Sequence, residues 1–307
     1  MGTKFPYKGI KEYKMSRRLI NMALLCVVLL LTGCVGGFHT TKKPEKIGFH
    51  PVIGYDTRAI EESVPFPQNR SFQIWAQKSK DGSLYINNET ISYKGGWFAS
   101  KIWNDEELSF EACWPTDLPV SFSKNDGIQI NNFDCSQGNV DILLAKAQSD
   151  NEIDSLIILC FDHILARVDF RMLHSLPDDM TVRLKKIEMK GFASKGDYNI
   201  RHSGQWAIGD KDFTYIVYDA GEEEGVTIPS GKAQYIGNDF YVIPQSSTAQ
   251  LDVLYEVRYG DAKWIPQTET IKSLDTYWDP SKHYTYTLNL RMDKLVHTTG
   301  ISSWSNR

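Results

Sequence analysis

Leu251, Val253, Tyr255, Val257 and Tyr259 recur at every second position, interleaved with Asp252, Leu254, Glu256 and Arg258. Successive side chains of a β-strand point to opposite faces, so a period of two specifies a strand with one buried face. Tyr284, Tyr286, Leu288, Leu290 and Met292 repeat the pattern, as do Phe72, Ile74 and Ala76, and Phe213, Tyr215 and Val217. No long amphipathic helical period competes with them. Asp81-Gly82 and Gly95-Gly96 punctuate the strands as turns. Many short strands divided by turn signals specify an all-β chain built of β-sandwiches.

Further strands are expected over Ser83–Tyr93, Gly96–Ile102, Leu108–Trp114, Val120–Phe122, Asp141–Ala147 and Asp239–Ile243. Ser155–Phe170 begins as a continuous apolar run and reads as one strand buried on both faces. Val182, Leu184, Ile187 and Met189 slip parity once, which a bulge explains. Ile47, Phe49, Ile53 and Tyr55 share a parity around Pro51, and the proline argues for a first strand at a sheet edge. The length, 307 residues, favours two domains over one. Gly191 to Ser203, rich in Gly, Ser, Asp and Asn, places the division so that residues 47–192 form an N-terminal sandwich and 193–307 a C-terminal one.

The first 33 residues read as a signal peptide. Arg17-Arg18 precede an apolar run, Leu19 to Leu31, that is too short to cross a bilayer as a helix. Met15 gives an alternative start, since Met15-Ser16-Arg17-Arg18 already supplies a basic region. Leu31-Thr32-Gly33-Cys34 resembles the lipobox of bacterial lipoproteins, in which the cysteine is acylated and becomes the first mature residue. Cys34 is therefore the expected lipid-attachment residue, and the membrane a partner through that lipid. Residues 34–46, with Gly36-Gly37 and Thr40-Thr41-Lys42-Lys43-Pro44, make a tether.

The formal net charge of -4 and the lack of a basic patch point away from nucleic acid. Cys113, Cys135 and Cys160 remain once Cys26 and Cys34 are set aside; Cys113 with Cys135 is the better disulfide candidate, and three buried thiols the plainer expectation. No Gly-x-Ser-x-Gly elbow, His-Glu-x-x-His pair or phosphate loop is present, so no enzyme, metal site or cofactor is expected. His163 reads as a packing histidine. The eight tryptophans fit core packing first and sugar stacking second.

An ordered set of short motifs carries a resemblance. Ser71-Phe72-Gln73-Ile74-Trp75-Ala76 is followed by Cys113-Trp114-Pro115, Val140-Asp141-Ile142-Leu143-Leu144-Ala145 and Phe161-Asp162-His163-Ile164-Leu165-Ala166-Arg167-Val168. Tyr241-Val242-Ile243-Pro244-Gln245 then precedes Leu251–Tyr259, and Trp278 stands before Tyr284-Thr285-Tyr286. Together with the lipobox, this order resembles the fimbrillin-like lipoproteins of Gram-negative anaerobes.

The resemblance implies two transthyretin-like β-sandwich domains in tandem, within a surface pilus subunit or accessory tip adhesin of the outer membrane. It implies an arginine-specific cut that frees the lipid-bearing segment and first strand, and pairing with other pilus subunits by strand addition. Arg58, with Ala59 as the new first residue, is then the expected cut, and Arg70 the less accessible alternative. Leu295 to Trp304 is either a donor strand or the last strand of the second domain. A host or bacterial surface ligand is a further partner. The competing reading is a surface lipoprotein that binds glycans and never polymerises.

Overall fold

The computed structural model describes residues 45–54, 63–104, 106–149, 156–202 and 205–304. Within them the chain is all-β, with 21 strands and no helix among the described residues. Pro44–Arg307 forms one compact unit.

Sheet 1 has eight strands. They are β1 (Lys46–Ile53), β2 (Val64–Pro65), β3 (Ser71–Lys78), β4 (Leu84–Ser92), β5 (Trp97–Ile102), β6 (Leu108–Trp114), β9 (Leu143–Gln148) and β10 (Ile157–His163). Its path runs β2-β1-β10-β9-β6-β3-β4, with β5 also on β1. A Tyr93–Trp97 bridge links the ends of β4 and β5, so the pairing comes full circle and the sheet rolls up on itself. Gly95 supplies the left-handed φ of +75° that this tight connection needs. Tyr85 donates its hydroxyl to Ile102 O across the closure at 2.6 Å.

Inside the roll lies an aromatic core. Phe66, Phe72 and Phe161 pack within 5.1–5.6 Å of one another, and Trp97 joins Phe66 and Phe72 at 5.6 and 5.5 Å. The central strands are buried on both faces. Ile74 and Ala76, Phe110 and Ala112, and Leu143 and Ala145 face this core, while Trp75, Cys113 and Leu144 face a second one. Two-sided burial is why these strands read as unbroken apolar stretches rather than clean alternations.

Sheet 2 comprises β7 (Val120–Ser123), β8 (Gly127–Asp134), β13 (Lys195–Asn199) and β14 (Trp206–Ile208), ordered β14-β13-β8-β7. It covers the outer face of sheet 1, where Trp75 stacks on Phe122 at 5.6 Å. A half-buried ion pair ties the layers: Arg201 donates to Glu111 Oε1 and Gln77 Oε1, both at 2.6 Å, and Glu111 Oε2 accepts Ile128 N–H at 2.8 Å.

Sheet 3 is ordered β17-β11-β20-β21, with β11 (Ala166–His174), β17 (Gln234–Val242), β20 (Lys282–Leu290) and β21 (Leu295–Ser303). Sheet 4 is ordered β15-β12-β18-β19, with β12 (Met180–Phe192), β15 (Phe213–Asp219), β18 (Ser246–Tyr259) and β19 (Ile265–Tyr277); β16 (Val226–Ile228) also pairs β12. Tyr215 of sheet 4 stacks on Phe240 of sheet 3 at 5.4 Å. The alternations of 251–259 and 284–290 lie in β18 and β20, with Leu251, Val253, Tyr255, Tyr284, Tyr286, Leu288 and Leu290 buried; Met292 falls past the strand and is exposed.

Three findings differ from the reading of the sequence or refine it. Ser155–Phe170 is not one strand. The inward set switches from Ile157, Leu159 and Phe161 to Ala166, Val168 and Phe170, and Ile164-Leu165 marks the break between β10 in sheet 1 and β11 in sheet 3. The parity slip of β12 is a register shift between Leu184 and Lys186 against β18. Pairing also crosses position 192 in both directions: β11 and β12 pair with later strands, while β13, inside the Gly- and Ser-rich stretch, pairs back to β8. The second core accordingly runs unbroken from Trp75 and Cys113 through sheet 2 into sheets 3 and 4.

Cys113, Cys135 and Cys160 are not in disulfides. Burial pushes the Cys113 thiol up to about 12 and raises that of Cys135, whose sulfur lies 3.1 Å from the Tyr215 hydroxyl. The reactive species is the thiolate, so both are protected in the folded chain. Iodoacetamide at pH 8, followed by intact mass, is expected to leave Cys113 and Cys135 unmodified until urea is added; full labelling of the folded protein contradicts this.

On sheet 4, hydrogen bonds from Lys186 and Lys190 at 2.8 and 3.1 Å hold Glu188 below its ordinary value of 4.5. A depressed carboxylate stabilises the fold fully above its unfolded value, and that contribution is lost as pH falls through the folded one. The urea midpoint is expected to drop between pH 6 and pH 3, and to drop less in Glu188→Gln. Identical drops in both proteins rule out this carboxylate as a contributor.

Candidate functional site

The first strand forms the site. β1 pairs in parallel with β10, Phe49 opposite Ile157 through Ile53 opposite Phe161. Its other edge pairs antiparallel with β5 over Lys46–Phe49 and with β2 over Val52–Ile53. It therefore lies inside the sheet, which corrects the edge placement drawn from Pro51. The reason is local. Pro51 O accepts Phe66 N–H at 3.1 Å on the β2 side, so the missing donor points to that same side. There it falls between the β5 and β2 registers, past the last paired residue of each, where a missing donor interrupts neither ladder internally.

Ile47, Phe49 and Ile53 are buried in the aromatic core. Phe49 meets Phe72 and Phe110 edge-on, at 6.2 and 5.7 Å. Full burial of such a side chain contributes about 1.5–3 kcal/mol, so the three together contribute roughly 5–9 kcal/mol. That is comparable to the whole stability of an ordinary domain, about 5–15 kcal/mol. Gly54 N–H to Phe161 O at 3.2 Å and Trp103 N–H to Glu45 O at 3.0 Å fasten the two ends. Loss of this strand leaves a slot with apolar pockets and two rows of unpaired backbone groups, and only another extended segment satisfies both.

Cys34, Arg58 and Ala59 lie outside the described residues. Residues 55–62 connect β1 to β2, whose ends pair at Ile53 and Val64. Arg70 is exposed beside the start of β3; its guanidinium sits 4.5 Å over Trp114 and its N–H reaches Pro67 O at 3.0 Å.

Leu295–Ser303 of the Leu295–Trp304 segment is the edge strand β21, paired with β20 from Leu290–Leu295 to Lys282–Ser303. Trp304 anchors its end. The indole stacks on His163 at 3.9 Å and Tyr241 at 5.1 Å, and the backbone N–H of Trp304 donates to Ser281 O at 3.2 Å. His163 is buried with Nδ1 2.9 Å from Asp141 Oδ2, a packing role.

The sequence matches the fimbrillin-like family over residues 57–304. The chain belongs to that family. Its matched span starts after β1, with Arg58 at the second position. The fold is similar to a fimbrial protein from Bacteroides vulgatus, with a TM-score of 0.61, 13% identity, and 85% of this chain and 99% of that one covered. It is also similar to a proposed cell adhesion protein from Bacteroides ovatus, with a TM-score of 0.55, 14% identity, and 87% and 100% covered. No curated protein matches.

Phe49→Ala is expected to cost about 3–5 kcal/mol, as for other buried phenylalanines. Urea unfolding followed by tryptophan fluorescence measures it. A loss under about 1 kcal/mol shows that β1 is not held by its core side chains.

Proposed function

We propose that this fimbrillin-like chain is a pilus subunit or accessory adhesin that is exported as a lipoprotein, cut after Arg58 and assembled by strand exchange. The observation that carries the reading is β1: a strand that completes the core of sheet 1, yet stands outside the span shared with the family. Cys34 carries the lipid and holds the precursor at the outer membrane. β1 fills the slot during export and so keeps an unpaired edge from aggregating. A cut at Arg58 severs the connection between β1 and β2. β1 is then held only by pairing and packing, and a strand from another subunit replaces it, laying alternate side chains into the pockets of Ile47, Phe49 and Ile53. The protein does no chemistry of its own in this scheme.

The test is direct. The purified precursor is treated with an arginine-specific protease, then examined by intact mass and on a denaturing gel without boiling. The expected result is a chain beginning at Ala59 that migrates as a ladder, with Arg58→Gln uncut and monomeric. An untouched wild-type chain, or a trimmed chain that stays monomeric, overturns the proposal.

A further inference from the structure

Where β14, the β17–β18 connection and the β19–β20 connection meet, the surface holds a depression of ≈ 500 Å³. A second, ≈ 470 Å³, adjoins it and shares Ser246 and Tyr277; a third, ≈ 410 Å³, adjoins it through Gln205 and Trp206. The three form one groove, and an aromatic side chain stands at each junction.

The groove is built rather than incidental. Its floor is Gln245, a buried amide that accepts from Ala193 N–H at 2.9 Å and donates to Ala193 O and Ile243 O at 3.0 and 3.1 Å. Its own carbonyl accepts Trp278 N–H at 2.9 Å, so one residue fixes three chain segments. Trp206 is held by an indole N–H bond to Ile164 O at 2.9 Å and by its packing on Tyr198 at 5.2 Å. Trp278 turns inward, its indole bonded to the Tyr286 hydroxyl at 3.0 Å, and strand alternation turns its neighbour Tyr277 outward, 67% exposed. Trp206, fixed in this way, presents a face with little ordering cost, and Tyr277 adds an exposed ring beside it.

Between and beyond the rings the walls are polar. Asp279 and Ser246 line the centre, Lys211 and Thr248 one end, Asn131 and Asn199 the other. Such a lining selects a long ligand with apolar faces for the rings and hydroxyls for the carboxylate, amides and hydroxyls. The mixed signs give no preference for a polyanion. We propose that this groove binds a neutral oligosaccharide over several consecutive units, with Tyr277 and Trp206 as stacking platforms. The inference rests on the adhesion reading only in naming what is adhered to; it needs neither the cut nor polymerisation. An extended peptide fits less well, because β14 offers an edge of only three residues.

The test uses the uncut protein, purified in a zwitterionic detergent that carries no sugar. Cellotetraose, chitotetraose and mannotetraose are titrated at millimolar concentrations, with tryptophan fluorescence and calorimetry as readouts. At least one is expected to bind one to one, and more tightly than its monosaccharide. Tyr277→Ala removes an exposed ring without opening the core and is expected to weaken binding about tenfold, the scale of one stacking contact. Asp279→Asn provides a second, isosteric variant and is expected to weaken it as well. Three results overturn the proposal: no binding of any of the three, equal affinity for monosaccharide and tetrasaccharide, or binding unchanged in both variants. A cleaved chain that fails to polymerise bears on the pilus reading alone.

Discussion

The closure of sheet 1 around its phenylalanines depends on β1. This strand is the only link between β10 on one side and β5 on the other among the described strands, and Phe49 fills the space between Phe72 and Phe110. The pairing of β1 and its burial reinforce each other. Backbone groups inside a rolled sheet have no water to turn to, and the pockets beneath them have no other filler. An isolated two-stranded edge gains far less from its neighbours, so the position of β1 makes its occupancy close to obligatory.

Outside the roll, the architecture spreads one core over three sheets. Trp75 and Cys113 on the back of sheet 1 meet sheet 2, and the cluster continues to Tyr215, Phe240, Phe192 and Trp278. Polar clamps appear where the layers meet: Arg201 with Glu111 and Gln77, and Gln245 with Ala193. Both leave the buried partners hydrogen-bonded, the condition under which a buried charge or amide is tolerated.

Much of this was legible in the sequence, and the failures have physical causes. β18 and β20 were plain because each has one buried face, and a half-buried strand writes its period into the chain. The β10–β11 break was hidden because a continuous apolar run carries no parity, so the switch at Ile164-Leu165 leaves no trace in composition. Pro51 misled because the cost of a missing donor depends on which neighbour stands opposite, and that is a property of register. Cys34 and Arg58 rest on motif and resemblance alone, and lie outside the described residues. Trp206 and Tyr277 were visible as residues but not as a pair, since the groove is assembled from segments about seventy positions apart that only the topology of sheets 2 and 4 brings together.

The order in which strands are visited has a mechanical meaning. The chain passes from sheet 1 to sheets 3 and 4 at β10–β11, returns for β13 and β14 of sheet 2, and leaves again for β15. Three covalent crossings therefore join the two ends of the molecule, where beads on a string have one. Tension applied between β1 and β21 cannot draw sheets 1 and 2 away from sheets 3 and 4 by straightening a single linker. It must first strip β13 from β8 across the pairs from Lys195–Asp134 to Asn199–Gln129. Sewn in this way, the folded chain resists extension as one body.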